Sequence, residues 1–355
     1  MVWRCVRPSW RFLVTISAVA LSLFAFLHYK PIRARLDIYL LQAQHQQASL
    51  QVSHPIVLKQ RRCPSDFADI EGDFLFVTVK TTKQYHRLRL NLIASTWISD
   101  ALLLKGRNDK PVVKVAILSD AVDDFVNTMI GGRMVKSRCP SSHNKTDLCC
   151  KQAAEFDLYY GEPKLAKWYC HFDDDNYVNM YQLLAELERH DASKPLYLGK
   201  SSRGMVKLKD VISGNEKGRV AFQFGTGGAG FCLTRVAMKQ IKPKVSRTTG
   251  GLGLEGLCRK LPGLSDDVAV GYVTGFYKIG LTQVPTMHSH LEKLSALSQD
   301  DIRKAISLSY TRYKSYENTI QLSAFHNVTP SDPTRFLSLH AFLKPKECSR
   351  RKRAK

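Results

Sequence analysis

The sequence predicts an α/β fold, a doubly wound sheet flanked by helices, behind one membrane-spanning segment. Short apolar strands alternate with amphipathic helices along the chain, an order that builds mostly parallel sheets. Two of these strands end in aspartates, and the carboxyl ends of the strands are where such sheets bind ligands. An apolar run without a charge comes before all of them. These observations predict a ligand-binding domain attached to a membrane.

The membrane-spanning segment is predicted at residues 12–29, after a tail of residues 1–11 that contains three arginines. The sequence HYKPIRAR that follows is a poor signal-peptidase site, so we interpret the run as an uncleaved signal-anchor. The short tail favours a cytoplasmic N-terminus. A span this short suits the thinner membranes of the early secretory pathway. The sequence therefore predicts a single-pass type II membrane protein of the Golgi with its body in the lumen.

The lumenal part divides by composition. Residues 30–70 are rich in glutamine, basic residues and proline, and we interpret them as a stem. One catalytic domain is predicted over 71–345, and a basic tail over 346–355. The formal charge of +22 favours acidic partners without choosing among them. In the lumen the tail is better interpreted as solvated or as a protease site, so no nucleic-acid partner is expected.

The elements of the body follow from apolar periodicity. Strands are predicted at 73–82, 112–120, 167–172, 196–199 and 221–224, and helices at 85–97, 151–160 and 180–190. Two helices carry four apolar residues each at a spacing that places them on one face: Leu90, Ile93, Ala94 and Trp97, and Met180, Leu183, Leu184 and Leu187. These faces are expected to pack on the sheet.

Three consecutive aspartates, Asp173, Asp174 and Asp175, follow the strand KWYCHF. Adjacent carboxylates repel one another, and a solvated turn or a helix N-cap needs only one or two of them. Carboxylates are suitable ligands for Mg²⁺ or Mn²⁺, which in turn bridge the oxygens of a diphosphate. The sequence has no Walker-A loop and no kinase signature. A metal-held nucleotide-sugar is therefore the favoured substrate, and an acidic turn is the alternative.

Eight of the nine cysteines follow the predicted anchor, in a compartment where disulfides persist. Cys139 and Cys150 could close a loop, but Cys149 beside Cys150 leaves the choice of partner open. Two sequons, at Asn144 and Asn327, are candidate glycosylation sites in loop-like segments.

Eight segments in order resemble the Fringe family of glycosyltransferases: VTVKTTKQYHRLRLNL, TWIS, CKQAAEFD, WYCHFDDDNYVN, FGTGGAGFCL, SDDVAVGY, HSHLE and DPTRFLSLHAFL. The resemblance covers roughly residues 73–345. It implies a GT-A type fold, a Rossmann-like mixed sheet flanked by helices, and an inverting enzyme that requires Mn²⁺. It further implies transfer of N-acetylglucosamine from UDP-N-acetylglucosamine, in β1,3 linkage, to O-linked fucose. The implied acceptors are EGF-like repeats of Notch and its ligands, so that the enzyme modulates Notch signalling.

The resemblance implies a donor and metal site. Asp175 and the second histidine of HSH, His290, match the Mn²⁺ ligands, whereas His288 is expected to be structural. Asp174 and Arg89 match residues that contact the sugar nucleotide, and Asp173 is expected close by. The strand-end residues Thr81, Thr82 and Asp120 lie where uridine is expected. In GTGGAG, the glycines Gly227 and Gly228 let the backbone approach the donor sugar.

The catalytic base is implied in LSDDVAVGY. An inverting transfer needs one carboxylate that takes the proton of the acceptor hydroxyl. The resemblance assigns this role to Asp267; Asp266 beside it is the alternative, and helix capping is the non-catalytic interpretation of the pair.

The resemblance also implies two disulfides, Cys139–Cys150 and Cys170–Cys232. A further family pair is missing, because Val268 and a residue near Phe276 occupy its positions. Ala341 replaces another family cysteine and leaves Cys348 without its usual partner. No partner is assigned to the additional cysteines, which are Cys63, Cys149 and Cys258.

Two alternative functions stay open. A different β1,3-glycosyltransferase, such as a core-1-like galactosyltransferase, would use the same metal and base. A non-catalytic lumenal glycan-binding protein could keep the fold, but it would be expected to have lost one of the implied site residues. All of them are present in this chain.

Overall fold

A computed structural model of the chain describes residues 67, 69–215, 217–248, 253–313, 316–324, 328 and 331–343. The predicted anchor at 12–29, nearly all of the stem, the basic tail and the sequon residue Asn327 lie outside the described residues. Within the described ranges, no helix is both long enough and apolar enough to cross a membrane.

The described chain contains strands that we number in order. They are β1 (Leu75–Lys80), β2 (Val113–Ser119), β3 (Met134–Lys136), β4 (Trp168–Asp173), β5 (Tyr177–Val178), β6 (Tyr197–Gly199), β7 (Val206–Lys209), β8 (Arg219–Phe222), β9 (Phe231–Thr234), β10 (Leu281–Gln283), β11 (Met287–His288), β12 (Ser307–Leu308), β13 (Thr311–Tyr313) and β14 (Tyr316–Asn318).

The helices are α1 (Asn91–Ile93), α2 (Ser99–Leu102), α3 (Asp124–Met129), α4 (Lys145–Tyr160), α5 (Met180–Glu188), α6 (Arg235–Val245), α7 (Gly253–Lys260), α8 (Asp266–Phe276), α9 (Gln299–Lys304) and α10 (Phe336–Leu343). Short 3₁₀ turns cover Lys83–Tyr85, Arg107–Asp109, Gly227–Ala229, Leu294–Ala296 and Leu322–Ala324.

A seven-stranded mixed sheet forms the centre of the fold, with the order β10-β6-β9-β4-β1-β2-β3. Strand β1 pairs in parallel with β2 and β4, and β2 pairs in parallel with β3. Strand β9 is antiparallel to both of its neighbours. The carboxyl ends of β1, β2 and β4 therefore meet at one edge of the sheet.

Helices cover both faces of this sheet, which explains why its strands are apolar along their whole length. In β1, Leu75, Val77 and Val79 pack into one core and Phe76 packs into the other. The eight helical residues predicted to face the sheet are all buried. The predicted α/β architecture is confirmed as a mixed, largely parallel sheet between helices.

Two predicted elements differ in detail. The segment 85–97 is helical, but wide π-helical turns at His86–Leu90 and Ala94–Ile98 flank α1. The Thr96 hydroxyl donates to the carbonyl of Leu92 (2.8 Å), a bond that competes with regular helix geometry. Helix α4 begins at Lys145 rather than 151, because Asn144 caps it by accepting from the Asp147 amide (2.9 Å).

The strand predicted at 221–224 is present but begins and ends two residues earlier. Strand β8 spans Arg219–Phe222 and pairs only with β7, in a hairpin outside the main sheet. Its side chains alternate between exposed and buried, as expected for a strand with one face in solvent. The apolar residues of this stretch thus cover α8 instead of joining the central sheet.

Three disulfides join the described cysteines. Cys139–Cys150 and Cys170–Cys232 are bonded as predicted, and the second pair joins directly opposed residues of β4 and β9. The third bond pairs Cys149 with Cys258 and ties α4 to α7. It resolves the ambiguity that adjacent Cys149 and Cys150 left in the sequence.

Candidate active site

The aspartate triplet lies at the carboxyl end of β4, beside the end of β1. Asp174 accepts hydrogen bonds from the Thr81 hydroxyl (2.6 Å) and from the Arg89 guanidinium (2.9 Å). Arg89 also lies 3.4 Å from an oxygen of Asp175, and its guanidinium lies 4.0 Å from the centre of the Tyr85 ring. Thr81 and Arg89, both predicted for the donor site, are therefore held against the triplet.

A buried chain of charges continues inward from Asp173. Lys80 pairs with Asp173 (3.4 Å) and with Asp266 of α8. His171 lies 3.5 Å from the same Asp173 oxygen, Oδ1, and 3.0 Å from the fully buried Glu155 of α4. Burial alone would raise the pKa of Asp173, but Lys80 and His171 outweigh it and hold this pKa well below its usual range. Asp173 is therefore charged, and its ion pair with Lys80 links β4 to β1 and, through Asp266, to α8.

Asp175 has the opposite environment. Burial, together with the charges of Asp173 and Asp174, raises the pKa of Asp175 to about 7, although Arg89 opposes the shift. Its side chain has one further donor, the Ser309 hydroxyl at 3.4 Å. The carboxylate therefore lacks a full complement of positive charge, as expected for a group that receives a cation.

The two adjacent aspartates of α8 differ in whether a cation neutralises them. Asp266 is paired with Lys80. Asp267 pairs with no cation among the described residues; it accepts from the Gly227 amide (3.0 Å), the Ser265 hydroxyl (2.6 Å) and the Val268 amide. Burial and the neighbouring charge of Asp266 raise the pKa of Asp267. Asp267 is thus a carboxylate with a raised proton affinity beside the glycine turn.

The glycine turn connects this helix to the triplet. The side-chain amide of Asn176, the residue after Asp175, donates to the Gly228 carbonyl (2.8 Å). The backbone amide of Gly227 donates to Asp267. A Cβ on Gly228 would lie 2.9 Å from the ring of His290. Asp267, His290 and the triplet therefore surround one turn, Gly227–Ala229.

His290 has the properties of a metal ligand. Its Nδ1 atom is buried and has no hydrogen-bond partner among the described residues. Burial lowers the pKa of His290, so that the ring is neutral and keeps a free lone pair near neutral pH.

No group of three or more His, Cys, Asp or Glu side chains converges as a metal site anywhere in the described ranges. Asp175 and His290 nevertheless fit a divalent cation. Mg²⁺-like ions are commonly held by one or two carboxylates together with substrate phosphates, because they retain much of their oxygen coordination. An under-neutralised carboxylate and an unpartnered neutral imidazole are suitable protein ligands for such a site.

Asp120, predicted for the donor site, has other partners, as does His288, which was expected to be structural. Asp120, at the end of β2, accepts from the Lys83 amide (2.6 Å) and the Ser119 hydroxyl and has no direct contact with the triplet. His288 pairs with Glu292 (3.1 Å), which also binds Lys200 (2.6 Å). The arrangement agrees with the structural role expected for His288.

The sequence interpretation missed the buried polar residues beneath the triplet. Lys80, Lys151, Glu155 and His171 are each less than a tenth exposed. Their signal was present, since Lys80 ends an otherwise apolar strand and His171 interrupts another. A charged residue in a strand that is buried on both faces requires a partner of opposite charge. This requirement would have predicted buried ion pairs beside the triplet.

Comparison with known proteins shows the family of the chain. A family model described as Fringe-like matches residues 70–347. The chain belongs to the Fringe-like family. A curated relative from Danio rerio, named Beta-1,3-N-acetylglucosaminyltransferase lunatic fringe, is 35% identical over 78% of this chain and 70% of its own length. The Drosophila melanogaster protein named Fringe glycosyltransferase is 36% identical over 78% of this chain and 63% of its own length.

A third relative, from Notophthalmus viridescens, is named Beta-1,3-N-acetylglucosaminyltransferase radical fringe. It is 32% identical over 78% of this chain and 66% of its own length. The chain is thus a Fringe-like protein, a member of a glycosyltransferase family, and it spans about two thirds of these relatives. Among solved structures, the galactosyltransferase LgtC matches 76% of this chain and 97% of its own, at 11% identity and a TM-score of 0.40.

Proposed function

We propose that this Fringe-like protein is an inverting, Mn²⁺-dependent transferase of the GT-A type. It moves N-acetylglucosamine from UDP-N-acetylglucosamine, in β1,3 linkage, to O-linked fucose on EGF-like repeats of Notch-type receptors and their ligands, and so modulates Notch signalling. The observation that carries the proposal is one glycine turn contacted by Asp267 and by Asn176, the neighbour of Asp175, and closely approached by His290. The names of the relatives support the sugar and the linkage.

The chemistry assigns a distinct task to each side of the turn. Asp267, with its raised pKa, takes the proton of the fucose hydroxyl as that oxygen attacks the anomeric carbon. Arg89 and Asp174 orient the sugar nucleotide at the end of β1. Asp175 and His290 would hold Mn²⁺, which supplies charge stabilisation to the departing diphosphate. The Gly227–Ala229 turn leaves the backbone close to the donor sugar because it carries no bulky side chain.

The setting proposed for this reaction is the Golgi lumen. Three disulfides among the described residues support an oxidising compartment. The apolar run at 12–29 supports a single-pass type II anchor. Asn144 is exposed and is proposed as a glycosylation site together with Asn327.

The decisive experiment incubates the purified protein with UDP-N-acetylglucosamine, UDP-galactose or UDP-glucose and an O-fucosylated EGF repeat. We expect transfer from UDP-N-acetylglucosamine, loss of transfer in EDTA, and recovery on addition of Mn²⁺. Asp175→Ala should abolish transfer, whereas Asp300→Ala, at an exposed position of α9, should retain it. Binding of Mn²⁺, measured by calorimetry, should be lost in Asp175→Ala alone.

Full transfer in EDTA would contradict the metal requirement. A preference for UDP-galactose would instead favour the alternative β1,3-galactosyltransferase. Absence of any transfer, with retained binding of the glycan, would favour the non-catalytic interpretation.

A further inference from the structure

Lys151 is a buried lysine whose ammonium group has no partner among the described residues. Its side chain is 2% exposed, and its Nζ atom takes part in no hydrogen bond or ion pair there. A buried cation without a partner is costly because it loses its hydration and gains nothing in exchange. Burial accordingly lowers the pKa of Lys151. A negatively charged ligand that supplied the missing partner would offset this cost.

The position of Lys151 places it beside the proposed donor site. It lies on the second turn of α4, which connects the parallel strands β3 and β4. A helix between parallel strands runs back along the sheet, so its first turns lie near the carboxyl ends of the strands. Lys151 is attracted by Asp120, after β2, and by Asp174, after β4. Asp147 of the same helix also attracts Lys151, and Lys80 repels it. The topology therefore places Lys151 near the carboxyl ends of the strands, the edge of the sheet that carries Asp120 and Asp174.

The carboxylates that attract Lys151 are already used by other donors. Asp120 accepts from the Lys83 amide and the Ser119 hydroxyl. Asp174 accepts from Thr81 and Arg89. The three N–H bonds of the Lys151 ammonium are thus left for a ligand that carries its own negative charge.

We infer that Lys151 binds the diphosphate of the nucleotide donor. The inference rests on the proposed function, in which Asp120 lies near the uridine and Asp174 contacts the sugar nucleotide. The diphosphate links these two parts of the molecule and carries its negative charge. Lys151 provides a cation from α4 that is separate from Arg89 and from the proposed metal ligands, and an ammonium is a common phosphate-binding group.

The test compares Lys151→Met, which keeps the length of the side chain and removes its charge, with Lys239→Met at an exposed position of α6. Binding of UDP and of uridine is measured by calorimetry at a fixed Mn²⁺ concentration. Lys151→Met should weaken UDP binding about 10- to 100-fold, the usual effect of losing a hydrogen bond to a charged group. Uridine affinity should not change, and Lys239→Met should match the wild type for both ligands.

Thermal unfolding without ligand separates this role from a structural one. Because Lys151 is 2% exposed and its ammonium has no partner among the described residues, Lys151→Met should unfold at the same temperature as the wild type or higher. UDP should raise that temperature less in the variant than in the wild type. If Lys151→Met does not fold, Lys151→Gln, which keeps a polar end, is measured in the same way and should also lose UDP affinity.

Unchanged UDP affinity in either folded variant would overturn the inference while leaving the proposed function intact. An equal loss for uridine and UDP would also overturn it, because the contact would then be to the nucleoside. A wild-type protein that binds no UDP would overturn both the inference and the proposed function.

Discussion

Asp266 and Asp267 are adjacent in sequence and differ in every contact that matters for catalysis. Asp266 pairs with Lys80, which ties α8 to β1 and β4. Asp267 faces the glycine turn and has a raised pKa. Because Asp266 is engaged by Lys80 and Asp267 has no cation partner among the described residues, the contacts favour Asp267 as the base.

The first prediction separates these two residues. Asp267→Asn should lower kcat by about 10²–10⁴-fold, the usual effect of losing a general base, and UDP binding should persist. Asp266→Asn should lower the free energy of unfolding, because it leaves Lys80 with one partner fewer in a buried site. Steady-state kinetics and urea unfolding of both variants provide the comparison. An inactive but fully stable Asp266→Asn beside an active Asp267→Asn would move the base by one residue.

At the scale of elements, the site is an assembly of strand ends, a turn and a helix start. The turn Gly227–Ala229 contacts both Asp267 and His290, so its backbone sets the distance between the proposed base and the proposed metal ligand. Glycine is required at the second position by space, since a Cβ there would meet the His290 ring.

The second prediction uses adjacent glycines as a matched pair. In Gly228→Ala the new Cβ would lie 2.9 Å from His290, so the ring must move, and Mn²⁺ affinity and kcat should both fall. In Gly227→Ala the new Cβ would lie 3.5 Å from Asp267, an ordinary contact, and Mn²⁺ affinity should be retained. Calorimetric titration of Mn²⁺ tests this directly. Equal metal affinity in the two variants would argue against His290 as a ligand.

At the scale of the whole molecule, disulfides hold the site helices and strands together. Cys170–Cys232 joins the strand that ends in the triplet to the strand that follows the glycine turn. Cys149–Cys258 and Cys139–Cys150 fasten α4, which carries Glu155 and Lys151, from two adjacent positions.

The third prediction compares the two bonds on α4. Cys149–Cys258 spans 109 residues and Cys139–Cys150 spans 11. In the loop-entropy model the longer bond stabilises the fold by about 4–5 kcal/mol and the shorter by roughly 3 kcal/mol. The double variant Cys149→Ser/Cys258→Ser should therefore unfold at lower urea concentration than Cys139→Ser/Cys150→Ser. The reverse order would mean that native contacts, and not chain entropy, determine the difference.

The sequence by itself determined the alternation of strands and helices, the aspartates at the end of β4 and the family. Each of these features can be recognised along the chain. The strands are continuous apolar segments, the helices have apolar residues at helical spacing, and the family motifs occur in the expected order. The positions of α5 and β4 and the buried faces of two helices were therefore predictable. Membership of the Fringe-like family was predictable for the same reason.

Only the tertiary structure decided which partner each of two adjacent residues contacts. Cys149 and Cys150 are adjacent and cannot be told apart in the sequence. They point in different directions from α4, so Cys149 bonds to Cys258 and Cys150 bonds to Cys139. Lys80 joins Asp173 to Asp266 across 93 residues, and Lys151 has no partner within the described ranges; neither fact has a local signature. Strand β8 pairs with β7 in a separate hairpin, and its alternating exposed and buried residues suit a strand with one solvated face. Long-range contacts decide these outcomes because partner choice depends on distance in space, which sequence spacing does not encode.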